Sequence, residues 1–264
     1  MENKEIRKYV KGYYTLNTVP GLTVVFALLI VFTLIYLFVT GNTALYLTLA
    51  ALLLLSFYVR TVSLVKISSI LNKSCDAVTY LEATKELLDY GRSHKTKSLK
   101  DTLNTTSESM YIFALTANWK FCEALDFLKN DAVSIKKNNP DMERFLEAHT
   151  SFLIAKENGD IEEMKRTYSE AKETKFFKRM ESDNVFEVNI LMVEEKYEQA
   201  LELLNGSPTP KYLSGIVADS YLKGVVCMKL GKNEEARKYL DFAVKSGNTM
   251  PLVKKAEELL ETLE

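Results

Sequence analysis

Two histidines and three cysteines are the side chains best equipped for nucleophilic or metal chemistry in this 264-residue chain. His94 lies in a basic, polar stretch, "GRSHKTKSLKD" (91–101), and His149 in "LEAHTSF", with no second histidine at an H-x-x-x-H spacing. A metal needs several converging ligands, and neither position offers a recognised ligand spacing. Cys75, Cys122 and Cys227 are scattered, with no C-x-x-C pair. An odd, dispersed set suits a reducing compartment and small packed side chains better than a disulfide framework. The acid clusters "ENGDIEE" (157–163) and "KNEEARK" (232–238) stand where helices should begin. Carboxylates there favour the helix dipole, which accounts for them without a bound cation. The sequence contains no G-x-S-x-G, no G-x-x-x-x-G-K-[ST] and no G-x-G-x-x-G, and its ten glycines leave little for a phosphate-cradling loop. These residues point to no catalytic group, no metal ligand and no cofactor site, so the chain is expected to act by binding and not as an enzyme.

The elements that would carry such a binding role fall into two unlike parts. Residues 1–73 hold seven basic side chains against two acids, and the remainder holds 27 against 33. A basic front on an acidic body argues for a membrane-facing end and against nucleic acid, which calls for a basic patch on the globular part. Leu22 to Val39 gives 18 consecutive uncharged residues, and after "TGN" (40–42), Thr43 to Val59 gives 17 more. A bilayer's hydrocarbon core takes roughly 17–25 residues of helix, so both runs are expected to span it as a hairpin, 21–40 and 43–60. The first run exceeds the h-region of a signal peptide and lacks an A-x-A site before the second, so it reads as retained. Lys4, Arg7, Lys8 and Lys11 precede the runs and Arg60, Lys66 and Lys73 follow them, while the connector has no Lys or Arg. The positive-inside rule then places both termini in the cytoplasm, and Tyr13, Tyr14, Tyr36, Tyr46, Phe57 and Tyr58 sit where aromatic belts would. Composition suggests a bacterial plasma membrane as the location.

The rest of the chain is self-similar. "EALDFL" (123–128), "EMKRTY" (163–168), "QALELL" (199–204) and "EARKYL" (235–240) align with Ala124, Met164, Ala200 and Ala236 in register, at spacings of 40, 36 and 36. Leu128, Tyr168, Leu204 and Leu240 follow four residues later, and Phe121, Ile161, Tyr197 and Asn233 come three before. Leu115, Ala155, Leu191 and Cys227 come nine before, and Ile112, Phe152, Val188 and Gly224 twelve before. Gly159 and Gly231 share one offset, at the turn between the two helices of a unit. This pattern resembles the tetratricopeptide repeat, in which two antiparallel helices carry a small residue near the middle of the first and Ala near the start of the second. Gly224, Gly231, Ala236, Leu240 and Ala243 make the closest copy, and Ala155, Gly159, Tyr168 and Ala171 the next. Asp131 and Ser207 stand where a small Ala is usual, and Pro140, Pro208, Pro210 and Pro251 fall off the family's closing position.

The expected fold is therefore all-α: a two-helix transmembrane hairpin, then a tetratricopeptide-like superhelix of about four degenerate hairpins with a capping helix from Pro251. The expected divisions are a basic cytoplasmic segment (1–20), the hairpin (21–60), a membrane-proximal helix and linker (61–100) and the repeat domain (101–264). The resemblance implies a protein or peptide partner in the repeat groove, with residues 21–60 in a lipid bilayer. It implies a membrane-anchored scaffold, the alternative being an accessory subunit of a transport or export complex assembled through the hairpin. Trp119, the chain's one tryptophan, is expected to pack against the preceding unit or to stand exposed as a partner anchor. "KFFKRM" (175–180) is expected to pack between repeats, and Asn205-Gly206 to turn.

Overall fold

The computed structural model describes residues 3–14, 43–93, 97–179 and 184–263, and every regular element among them is helical. Four helices lead: α1 (Asn3–Tyr14), α2 (Thr43–Ser74), α3 (Ala77–Ser93) and α4 (Lys97–Ala117). Then come α5 (Phe121–Asn130), α6 (Val133–Asn138), α7 (Pro140–Asn158), α8 (Ile161–Glu173) and a 3-10 turn at Phe177–Arg179. The chain continues through α9 (Asn184–Val193), α10 (Tyr197–Gly206), α11 (Leu213–Lys229), α12 (Asn233–Ser246) and α13 (Pro251–Glu261).

The front of the chain departs from the membrane expectation. Among the described residues no helix is long and apolar enough to cross a membrane. This overturns the assignment of the chain as a two-helix integral protein of the bacterial plasma membrane with cytoplasmic termini. The first run, 21–40, lies outside the described residues. The second is the front of α2, a 32-residue helix that runs on past Arg60. Its rear half seats Ile67 and Ile70 in a protein core with Tyr80, Ala83 and Leu87 of α3. Protein, not lipid, is the solvent for that stretch. Helix α1 completes the core: Ile6, Val10, Tyr13 and Tyr14 recur at helical spacing and are at most 2% exposed. Tyr13 and Tyr14 are thus core residues, not an interfacial belt; Tyr13 Oη donates to the Leu103 carbonyl at 3.2 Å.

Four of the helix–helix turns share one backbone geometry. Trp119, Gly159, Glu195 and Gly231 hold one shared position, and all four are left-handed, with φ of 56°, 67°, 60° and 71°. The next residue closes each turn with the same backbone bond, Lys120 to Leu115, Asp160 to Ala155, Lys196 to Leu191 and Lys232 to Cys227, at 2.8–2.9 Å. This is the six-residue Schellman closure that satisfies orphan carbonyls at a helix end. Ala124, Met164, Ala200 and Ala236 are each 0% exposed, and Gly224 lies directly under Leu240. Ala124, Ala200, Ala236 and Gly224 are small enough to let the helices at these crossings approach closely, and the second hairpin carries the larger Met164 there. The hairpins are α4/α5, α7/α8, α9/α10 and α11/α12.

The long first spacing has a cause. Helix α6 is inserted between the first two hairpins and docked by Glu108, whose carboxylate accepts from the Ser134 and Ile135 amides at 3.2 and 2.8 Å. Asn205 and Gly206 do not turn; they finish α10. Pro251 opens α13, whose Leu252 and Ala256 are buried against the last hairpin. The array also closes on itself. Asn248 Nδ2 donates to the Ser74 carbonyl at 2.9 Å, the Val78 amide donates to Thr249 Oγ1 at 3.2 Å, and Thr249 Oγ1 donates to Asp76 Oδ1 at 2.9 Å. Cys75 is buried there among Val217, Leu240, Ala243 and Leu252.

Candidate functional site

Two concavities flank α7. The larger, about 880 Å³, runs between α5 and α8 over the back of α7. It is lined by Lys129, Arg144 and Arg166 and by Glu147, Asp160, Glu163, Glu170 and Glu173. These charges largely answer one another. Lys129 pairs with Glu147 at 3.8 Å and Arg144 with Glu173 at 3.5 Å. Arg166 reaches both Glu163 and Glu170 on its own helix, and its hydrogen bond to Glu163 holds that carboxyl below the ordinary range. Asp160 caps α8 through the Glu163 amide at 3.0 Å, so the acid cluster is helix-start chemistry, as its place in the sequence implied. Exposed pairs of this kind contribute little to stability, and the cleft offers a polar lining in which carboxylates outnumber cations.

The second concavity is smaller and of the opposite character. About 390 Å³ in volume, it lies between the end of α2, α3, α4 and α7 and has no charged side chain in its lining. Tyr80 comes from α3, Phe113 from α4, Phe121 from the start of α5, and His149 and Leu153 from successive turns of α7. Trp119 stands at the α4/α5 turn, 37% exposed, between its two expected roles. Its left-handed backbone is set by the turn, a conformation that costs a bulky L-residue about 1–2 kcal/mol. Two of its three counterparts are glycine.

His149 is the one histidine the structure describes; His94 lies outside the described residues. Its ring stacks on Phe145 with centroids 5.7 Å apart and meets Phe186 edge-on at 5.6 Å. Burial pulls its pKa down to about 4, so the imidazole is neutral at physiological pH. Nδ1 is sealed from solvent with no hydrogen-bond partner. The residue as a whole lines the cavity. Behind this face lies an aromatic cluster in which Phe145, Phe152, Tyr168, Phe177 and Phe186 contact one another. Phe177 of "KFFKRM" is 3% exposed and belongs to it, as its expected packing role requires.

Among the described residues no group of three or more His, Cys, Asp or Glu side chains is placed to hold a metal ion. Cys75 and Cys227 are buried, whereas Cys122 is exposed on α5. The sequence places His149 as a packed or surface residue; its ring is packed as expected, and it also lines a cavity. The signal available was its place four residues before Leu153, on one face of α7. Comparison of the chain with protein-family models, with curated proteins and with solved structures finds no significant match.

Proposed function

We propose that the chain is a tetratricopeptide-like scaffold that captures a peptide or protein partner on its helical surface. The observation that carries this reading is the fourfold recurrence of one hairpin turn, with a left-handed residue at the same position and the same closing bond. A stack built in this way shares a continuous core between neighbours and presents long grooves between its helices. Two grooves of different chemistry flank α7, one charged with an excess of acids and one aromatic, which suits recognition of a segment carrying both polar and apolar side chains. The alternative role in a transport complex rested on a transmembrane hairpin and is not taken up.

Selection of phage-displayed peptides on the full chain tests the proposal, with hydrogen exchange locating each selected peptide. Peptides that protect amides of α4, α5, α7 or α8 support it. Failure to recover any saturable binder, or protection confined to α12 and α13, overturns it.

A further inference from the structure

We infer that the groove between α1 and α2, with Lys4, Arg7, Lys8 and Lys11 on one wall and Tyr58 and Val62 on the other, binds one molecule of an anionic amphiphile. Its phosphate or carboxylate head lies against α1 and its alkyl tail against α2. The site is separate from the grooves beside α7 and does not depend on the scaffold reading.

Charge selects the head. The four cations recur at i, i+3, i+4 and i+7, which puts them on one face of α1. Ile6, Val10, Tyr13 and Tyr14 of the same helix are buried in the core, so the helix cannot roll the cations away from the groove. Among the described residues no carboxylate lines the groove, and Glu5 of α1 is not in it. Arg7 pairs with Glu86 of α3 at 3.3 Å, whereas Lys4 and Lys8 have no such partner among the described residues. Arg60, next to Val59 on α2, keeps Nε and one terminal nitrogen buried with no hydrogen-bond partner. It adds a further positive charge beside the groove. Cations gathered against apolar walls raise the local concentration of anions.

Shape and polarity select the tail. The groove holds about 720 Å³, within the range of sites for a single small molecule. Its α2 wall is Val59, Val62 and the ring of Tyr58, which is 64% exposed. The sequence of α2 carries no charged residue from Thr43 to Val59, so that helix brings no charge to oppose an alkyl chain there. The walls are also ready-made. A Cβ on Gly12 would fall 2.6 Å from Ser63 Oγ, so α1 and α2 are in close contact where they border the groove. A preformed site loses little to ordering. An acidic peptide is the poorer occupant. Its backbone N–H and C=O groups would need partners on an apolar wall, and Ser63 already donates to the Val59 carbonyl at 2.8 Å.

Isothermal titration calorimetry of the full chain with dodecyl phosphate, kept below its micelle concentration, should show one saturable site with a midpoint below about 1 mM. Dodecanoate should bind within about tenfold of it, since either head meets the same cations. Inorganic phosphate and dodecyltrimethylammonium should not saturate over the same range. Lys4→Gln combined with Lys8→Gln should weaken dodecyl phosphate about tenfold, the order expected of charge-assisted contacts. Val62→Glu, which places a carboxylate on the apolar wall, should abolish saturation. Both variants should keep the helical circular dichroism, because Lys4 and Lys8 are exposed and Val62 is half-buried. Hydrogen exchange should show ligand protection in α1 and around Tyr58–Ser63. Inorganic phosphate or dodecyltrimethylammonium binding as tightly as dodecyl phosphate overturns the inference, as does binding unchanged in both variants. Two other occupants would overturn it as well. One is a phosphatidylglycerol vesicle that captures the chain while the monomeric amphiphile fails to saturate. The other is a glutamate-rich peptide that binds more tightly than dodecyl phosphate.

Discussion

The crossing of α11 and α12 gives a quantitative test of how the repeat is packed. A Cβ added to Gly224 would fall 2.7 Å from Leu240 Cγ, 2.8 Å from Leu240 Cδ2 and 3.3 Å from the Leu240 backbone nitrogen. Carbon atoms in contact sit about 3.5–4.0 Å apart, so one helix must retreat by most of an ångström. Leu240 is 0% exposed and cannot swing aside. Overpacking of this severity belongs near the top of the range of about 1–3 kcal/mol. Alanine also recovers about 1 kcal/mol of helix propensity over glycine, so the net loss for Gly224→Ala should be about 2 kcal/mol. For a chain of this size that lowers Tm by about 4–8 °C. Leu240→Ala alone should cost about 2–5 kcal/mol through the cavity it leaves. With the leucine gone, the added methyl group has room, and Gly224→Ala should become neutral or stabilising by up to about 1 kcal/mol. Urea denaturation of the four proteins, followed by circular dichroism, measures the cycle; the coupling should be about 2–3 kcal/mol. Equal destabilisation by Gly224→Ala in both backgrounds would refute the claim that side-chain overlap at this crossing makes the glycine necessary.

Glu195 holds a left-handed conformation at a turn that glycine serves elsewhere, so Glu195→Gly should stabilise the chain by about 1 kcal/mol, read as a raised urea midpoint. Glu108→Ala leaves the Ser134 and Ile135 amides without their acceptor and should cost about 2–3 kcal/mol, with faster hydrogen exchange in α6. For His149 the folded pKa, about 4, lies below the ordinary value near 6.5, so the folded state binds fewer protons between those limits. Its contribution is therefore complete above about pH 6.5 and is lost as pH falls toward 4. Between pH 7.5 and 5 the wild type should lose about 1–2 kcal/mol more stability than His149→Phe, measured by urea unfolding at both pH values.

Which residues the sequence disclosed, and which it hid, follows from what each kind of pattern encodes. Repeat offsets encode burial, and the positions aligned at Ala124, Met164, Ala200 and Ala236 are all fully buried. The reading of Tyr13 and Tyr14 as an interfacial belt failed, since both are core residues. An apolar side chain records only that it leaves water, and the sequence does not say whether lipid or protein receives it. Helix α6 was invisible because its six residues are too few to show a period, and what fixes it is a carboxylate 26 residues upstream. The left-handed turns at Trp119 and Glu195 escaped notice for a related reason. Gly159 and Gly231 advertise the conformation, but the closing bond imposes it whatever the side chain. The cavity was hidden most thoroughly, since its walls come from α2, α3, α4, the start of α5 and α7, segments spread along the sequence.

The bonds from Asn248 and Thr249 to Ser74, Asp76 and Val78 join segments more than 170 residues apart in sequence. An open stack of repeats can fray from either tip, each unit melting at its own free energy. Here the final hairpin is latched to the segment after α2, so it cannot peel away without uncovering Cys75 and its apolar neighbours. The latch ties the last rung of the ladder to an early one, which should raise the cooperativity of opening. Its closure joins segments far apart in sequence and should come late in folding, after the local hairpins have formed.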